Sequence, residues 1–355
     1  MEQPLKGRGA ITNRVVRFQA HVTEPVDDGW ERPEDEASVP RTTVQPEQAR
    51  SLINYNSSPD IGFDRSINPY RGCEHGCIYC YARPSHAYLG LSPGLDFETR
   101  LTYKADAAAL LRAELAKPGY RCAPVMLGAN TDPYQPVERR LRVTREVLEV
   151  LLEARHPVSI VTKSTGVLRD LDLLTEFARL DLVHVMVSLT SLDPEIKRTL
   201  EPRAASPAAR LNTIHSLAAA GVPVGTLIAP VIPVITDSEL ESLLEAAVDA
   251  GARRAGYVLL RLPLELRDLF REWLEAHHPG KAAHVLSLLE QLRGGQLNDS
   301  RFGQRMTGIG IYAQLLRRRF ALARERLGVS DDSLTLATEH FEPLRTPTPQ
   351  LSLGL

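Results

Sequence analysis

Three cysteines stand close together in this chain, Cys73, Cys77 and Cys80, within the stretch INPYRGCEHGCIYCYAR at residues 67–83. Their spacing is C-x3-C-x2-C, and Tyr79 directly precedes the last of them. Thiolates are soft ligands, and three on one short loop can hold a soft metal or an iron–sulfur cluster. A 4Fe–4S cluster takes one ligand per iron, so three cysteines leave one iron open to a small molecule. Gly72 and Gly76 suit such a loop, because glycine reaches backbone angles that a side chain forbids. A structural zinc site is the plainer alternative, with His75 or Cys122 as fourth ligand, but the chain has no second C-x2-C knuckle. Disulfides between cysteines this close fit poorly in a chain that otherwise looks reduced.

Composition narrows the setting. A chain of 355 residues suffices for one large core with appendages, or for two domains. Its 43% hydrophobic and 24% charged residues are those of an ordinary globular protein. A net charge of −2 gives no bulk pull toward nucleic acid or membrane. No apolar run approaches membrane-spanning length, and MEQPLKGRGAITNR lacks the apolar core of a signal peptide. The expected location is the cytoplasm, with no membrane partner.

The elements that would position the cysteines follow a rhythm. A short extended piece, 67–70, leads into the loop, and Pro69 within it suggests an edge strand. After an insertion at 84–103, a helix is expected at about 105–117. Strands are expected at 122–127, 158–162, 182–187, 222–229 and 257–262. Helical patterns separate them, among them 138–155, a helix from about Val167, and one opened by a Thr236-x-x-Glu239 capping box. Six strands alternating with helices predict parallel βα units, an α/β fold that stops short of an eightfold barrel. Ligands of such folds sit at the C-terminal strand ends. The cysteine loop, GANTD, KST, SLTS and APVIP all fall there. Beyond Pro263 only helices are expected, at 264–276, 282–292 and 309–327. The last carries Arg317, Arg318, Arg319, Arg324 and Arg326, which read as a solvated face rather than a nucleic-acid strip. Residues 1–58 read as a partly flexible arm, acidic from Glu24 to Glu36, in which Trp30 is a docking anchor. The barrel would occupy 59–265, a helical region 266–330, and a flexible tail 331–355.

At the cysteine loop the chain resembles the radical S-adenosylmethionine (SAM) superfamily, whose cluster motif is C-x3-C-x-aromatic-C. Cys73, Cys77, Tyr79 and Cys80 match that motif position by position. The wider NPYRGCEHGCIYCYAR, with the later TDPYQPVE, is similar to the branch related to the DNA-repair spore photoproduct lyases. The resemblance implies a partial (βα)6 open barrel with a helical C-terminal extension. It implies a 4Fe–4S cluster on the three cysteines, whose open iron chelates S-adenosyl-L-methionine. Reductive cleavage of SAM would give a 5′-deoxyadenosyl radical that takes hydrogen from a substrate. An electron donor such as a flavodoxin or ferredoxin follows as a partner.

The same resemblance assigns the strand-end residues. Tyr79 would pack near the adenine of SAM. Asn130, Thr131 and Asp132 stand where the family holds the methionine amino group, though they depart from its common glycine–glycine–glutamate form. Asp132 is equally an Asx-turn cap before Pro133. By their place at a strand end rather than by the resemblance, Lys163 would neutralise the SAM carboxylate and Ser164 would bind ribose, unless Ser164 or Thr165 caps a helix and Lys163 is a rim charge. Ser188 and Thr190 follow the same logic. Cys122 falls at the opposite strand end, so the lyase's hydrogen-donating cysteine has no counterpart; Tyr70, Tyr81 and Tyr134 remain as relays. Nucleic acid is the suggested substrate, with lyase-type chemistry. The alternatives are modification of RNA, protein or a metabolite, and a non-enzymatic zinc- or cluster-binding interaction protein.

Overall fold

The computed structural model describes residues 4–18, 41–329 and 335–344. Its centre is six parallel strands: β1 (Arg65–Ile67), β2 (Val125–Leu127), β3 (Val158–Thr162), β4 (Val183–Leu189), β5 (Val224–Val231) and β6 (Arg254–Leu259). They lie side by side in chain order, and a short antiparallel strand, Ile53–Tyr55, flanks β1. Strand β4, VHVMVSL, shows why they form. Val183, Val185, Val187 and Leu189 are fully buried, while His184, Met186 and Ser188 alternate onto the other face. Each crossover presents a matching apolar stripe, such as Val147, Leu148 and Leu151 on the helix Val143–Glu153. Burying each of these side chains stabilises the fold by roughly 1.5–3 kcal/mol. The result is the α/β open barrel with a helical C-terminal region.

Several boundaries moved for physical reasons. Pro69 does not mark an edge strand: β1 ends at Ile67 and is paired on both sides. Strand β2 begins at Val125, so Cys122 lies in the loop before it. Arg142, at φ 57°, breaks the expected helix 138–155 into Glu138–Leu141 and Val143–Glu153. The capping box is absent. The Thr236 hydroxyl accepts from the Ile232 amide instead, and the Glu239 carboxylate accepts from Ser191 and Leu192.

A second sheet lies outside the barrel. Arg100–Lys104, within the expected insertion, pairs with Thr43–Glu47 on one side and with Tyr70–Arg71 on the other. The C-terminal helices are Leu266–His277, Ala282–Leu292 and Gly310–Arg326. Within the arginine run, Arg319 is paired with Glu241 at 2.5 Å. Trp30 and the acidic stretch 24–36 lie outside the described residues. Inside the expected tail, the Ala337 amide donates to Asp181 O at 3.0 Å and Phe341 packs on Tyr120 and His156. Among the described residues no helix is long and apolar enough to cross a membrane.

Candidate functional site

The cysteine loop sits where β1 runs out. It enters through Cys73 N donating to Phe97 O at 2.9 Å and then coils through Cys80 N to Cys77 O at 3.2 Å and Arg83 N to Cys80 O at 3.1 Å. This coiling brings the three thiols near one another. Gly72 and Gly76 hold φ of 75° and 68°. At position 76 a Cβ would also lie 2.7 Å from the Glu98 carboxylate, so angle and space both demand glycine. All three thiols are free, with Cys73 and Cys77 buried and Cys80 partly so. Burial pushes each thiol up, Cys77 to about 12, and Asp132 and the neighbouring thiols add to the rise at Cys73.

Such a crowd of buried thiols is unfavourable as anions by itself and becomes favourable around iron, so the donor set fits a cluster with three protein ligands. It fits zinc less well. A structural zinc takes a fourth protein ligand to close its tetrahedron. The proposed fourth ligands are elsewhere. His75 Nδ1 faces Asp132 at 3.3 Å, and Cys122 lies beside Arg65 and Tyr120, at the other end of the sheet.

Side chains from distant parts of the sequence shape the loop. Arg83, fully buried, donates to Cys77 O at 2.8 Å, Gly76 O at 3.1 Å and Gly94 O at 2.9 Å, and pairs with the buried Glu98. Glu98 in turn accepts from the Gly9 and Ala10 amides at 3.0 and 2.8 Å. The basic GRGA of the N-terminal arm is therefore part of the loop's support. Gln135 bridges Glu74 N at 2.9 Å and Gly72 O at 3.2 Å. Asn68 accepts from the Asn130 and Thr131 amides at 2.8 and 3.4 Å.

A second buried carboxylate organises the side facing β4 and β5. Glu201 accepts from Tyr79 and from Arg210, and from Thr190 at 2.8 Å. Lys163 stands 3.8 Å from it, with its ammonium 5.8 Å from the centre of the Tyr79 ring. Burial opposes ionisation of Glu201, but Arg210 and Lys163 overcome it and hold the carboxyl at about 2.

The structure thus joins Tyr79, Lys163 and Thr190 into one polar wall near Cys77. Ser188 is buried beneath it, its carbonyl taken by Arg210 at 3.0 Å. Asp132 is occupied by its own chain: it accepts from Thr162 Oγ1 and Lys163 N at 2.7 Å each and from Tyr134 N at 2.9 Å. Ser164 caps the turn that follows β3, accepting from Gly166 N at 3.0 Å. Thr131 donates to Tyr70 O at 3.0 Å. Sequence reasoning missed Glu201, Arg210, Glu98, Asn68 and Gln135. Asn68 and Gln135 carried a signal, through their places in NPYRGCEHGCIYCYAR and TDPYQPVE.

Comparison with known proteins shows the family and the fold. The family model described as Radical SAM superfamily matches residues 67–247. An uncharacterised protein of Mycobacterium tuberculosis is 39% identical over 271 residues, 75% of this chain and 76% of that one. An uncharacterised protein of Methanocaldococcus jannaschii is 28% identical over 54% of this chain and 69% of its own length. Among solved structures, a spore photoproduct lyase complexed with dinucleoside spore photoproduct superposes with a TM-score of 0.55 at 18% identity, covering 80% of this chain and 79% of that one. A variant of that lyase with bound AdoMet and the same dinucleoside reaches 0.56 at 16% identity, covering 80% and 78%. At these identities the likeness is one of fold.

Proposed function

This chain belongs to the radical SAM superfamily, and we propose that it takes a hydrogen atom from a nucleic-acid substrate, using a 4Fe–4S cluster on Cys73, Cys77 and Cys80. The observation that carries this reading is the meeting of three buried thiols with the Tyr79–Lys163–Thr190 wall at one end of a six-stranded parallel sheet. Bound together, reduced cluster and SAM supply the 5′-deoxyadenosyl radical characteristic of the family.

The chain's own residues bind and orient. Lys163 offers a cation for the SAM carboxylate, fixed by Glu201 and the Tyr79 ring. Tyr79, Thr190, Asn130 and Thr131 line the place for the rest of the molecule, and Ser188 supports it from beneath through its carbonyl on Arg210. Asp132 and Ser164 act as positioning residues, holding the ends of β2 and β3. Likeness of fold to spore photoproduct lyase supports nucleic acid as substrate. No fourth cysteine stands near the thiols, so the proposed chemistry runs without a thiol relay. Of Tyr70, Tyr81 and Tyr134, only Tyr81 is exposed. The barrel at 59–265 is the proposed catalytic body, working in a reducing cytoplasm with a flavodoxin or ferredoxin as electron donor.

Anaerobic reconstitution tests the reading. Iron and sulfide in equal amounts are expected, with 5′-deoxyadenosine formed from SAM on reduction, and Cys80→Ala should abolish both. Zinc without sulfide, or an intact cluster that never yields 5′-deoxyadenosine, overturns it.

A further inference from the structure

Arg261 stands just past the end of β6, its guanidinium stacked 4.8 Å above the centre of the Tyr81 ring. Tyr81 follows Cys80 directly, and it is 45% exposed. Arg261 is partly buried, yet among the described residues it reaches no carboxylate. The charged groups around it are Arg305, Asp60 and Cys80, with Arg293 close behind. Asp60 is already held by Arg305, and Asp299, the other acid near Arg293, by Arg301 at 2.7 Å.

The end of β6 is fastened in a way that keeps these cations together. Arg293, almost fully buried, donates to Leu259 O at 3.2 Å and Leu260 O at 2.9 Å on one side. On the other it donates to Gln304 O at 3.1 Å and Arg305 O at 2.7 Å. Leu259 N completes the joint by donating to Met306 O at 3.0 Å. The C-terminal region is thereby tied to the end of β6, next to Arg261.

An uncompensated, partly buried guanidinium is unfavourable unless an anion meets it. A planar fork stacked on an aromatic face is a geometry that matches phosphate bidentately. We infer that Arg261, held on Tyr81 at the end of β6, is a phosphate-binding site that seats a phosphodiester of the nucleic-acid substrate beside the cluster loop. This rests on the radical SAM reading above and deepens it by giving the substrate's backbone a place to bind.

The test measures binding of a fluorescein-labelled single-stranded oligodeoxynucleotide to the reconstituted holoprotein by anisotropy, over a series of salt concentrations. Arg261→Gln should weaken binding about tenfold and lower the slope of log K against log salt by roughly 0.7, the share of one phosphate contact on a single strand. Arg261→Lys, which keeps the charge and loses the fork and its stacking, should retain the salt slope of the wild type and fall between it and Arg261→Gln in affinity. Arg179→Gln, on an exposed helix face, serves as the control and should bind as the wild type does. Oligonucleotide affinity indifferent to Arg261→Gln overturns the site. So does a loss of SAM affinity with oligonucleotide affinity intact, because the anion would then be the SAM carboxylate. Equal weakening by Arg261→Lys and Arg261→Gln, with loss of the folded circular dichroism spectrum in both, assigns Arg261 a structural role and also overturns it. SAM cleavage by the wild type is read in parallel: its absence removes the radical SAM reading while leaving the binding result to stand or fall alone.

Discussion

Two buried glutamate–arginine pairs flank the cysteine loop, and they do different work with the same chemistry. Glu98–Arg83 and Glu201–Arg210 are all nearly inaccessible to solvent. Around Glu98–Arg83 the bonds go to main chain: the carbonyls of Gly76, Cys77 and Gly94, and the amides of Gly9 and Ala10. Around Glu201–Arg210 they go largely to side chains: Tyr79, Thr190 and Lys163. The first pair sets the course of the loop; the second sets the groups that face its thiols. A buried ion pair is weak evidence of net stability, since hydrophobic replacements often do as well. What these two pairs supply is position, of backbone in one case and of polar side chains in the other.

Breaking the first pair should have the largest effect. Glu98→Ala leaves Arg83 as an uncompensated buried charge and strips the Gly9 and Ala10 amides of their acceptor. About 3–5 kcal/mol of stability should be lost, read by urea unfolding of the apo chain, together with most of the iron after reconstitution. Wild-type unfolding and iron content in this variant would show that the loop holds its shape without the clamp, and the comparison would fail on that side.

Glu201→Gln should act on the other side alone. The isosteric amide keeps the packing and loses the charge that gathers Arg210, Lys163 and Tyr79. Iron content should stay near wild type. SAM affinity should fall roughly 10- to 100-fold, the worth of one hydrogen bond to a charged group. A rise in KM for SAM larger than any fall in kcat marks a positioning role. Loss of iron comparable to Glu98→Ala would mean that the two pairs form one structural unit.

Acid should separate them too. Burial holds His86, which packs on Phe97 beside the first pair, down at about 4 from 6.5. The neutral ring is the folded form, so its contribution is present above pH 6.5 and is lost as pH falls toward 4. His156 and His184, also held at about 4 by burial, add to the same decline. Glu201 is depressed to about 2 from 4.5, so its contribution is kept down to about pH 4.5 and lost only below. Urea midpoints should therefore drop between pH 6.5 and 4, and His86→Gln should flatten part of that slope. An unchanged slope in His86→Gln would place the acid sensitivity elsewhere.

The difference between the two pairs also explains what was legible in the sequence. Cysteine spacing and the alternation of strands such as VHVMVSL are local patterns, and they identified the loop, the six strands and the face that carries the site. The clamp is not local. Gly9 meets Glu98 across 89 positions, and Tyr79 meets Glu201 across 122, so no spacing rule connects them. Asp132 and Ser164 show another limit. Aspartate before proline and serine after a strand suit a ligand contact and a turn cap equally, and only the hydrogen bonds of the folded chain reveal that both are occupied as caps. The segment 335–344 is a third case, polar enough to read as tail, yet held by the Ala337 amide on Asp181 O and by Phe341 against Tyr120 and His156.

The smallest effect is expected at Cys122, and it bears on the comparison because this is the one thiol outside both pairs. It lies before β2 at the far end of the sheet. Burial raises it to about 11, and Arg65 only partly offsets that rise. A thiol so placed is protonated at neutral pH and remote from the cysteine loop, so it is a small apolar side chain in practice. Cys122→Ala should change stability by less than about 1 kcal/mol and leave iron content, SAM cleavage and turnover of any nucleic-acid substrate at wild-type levels. If turnover stalls while SAM cleavage continues, hydrogen is being returned through Cys122, and the chemistry reaches through the barrel rather than ending at the wall organised by Glu201.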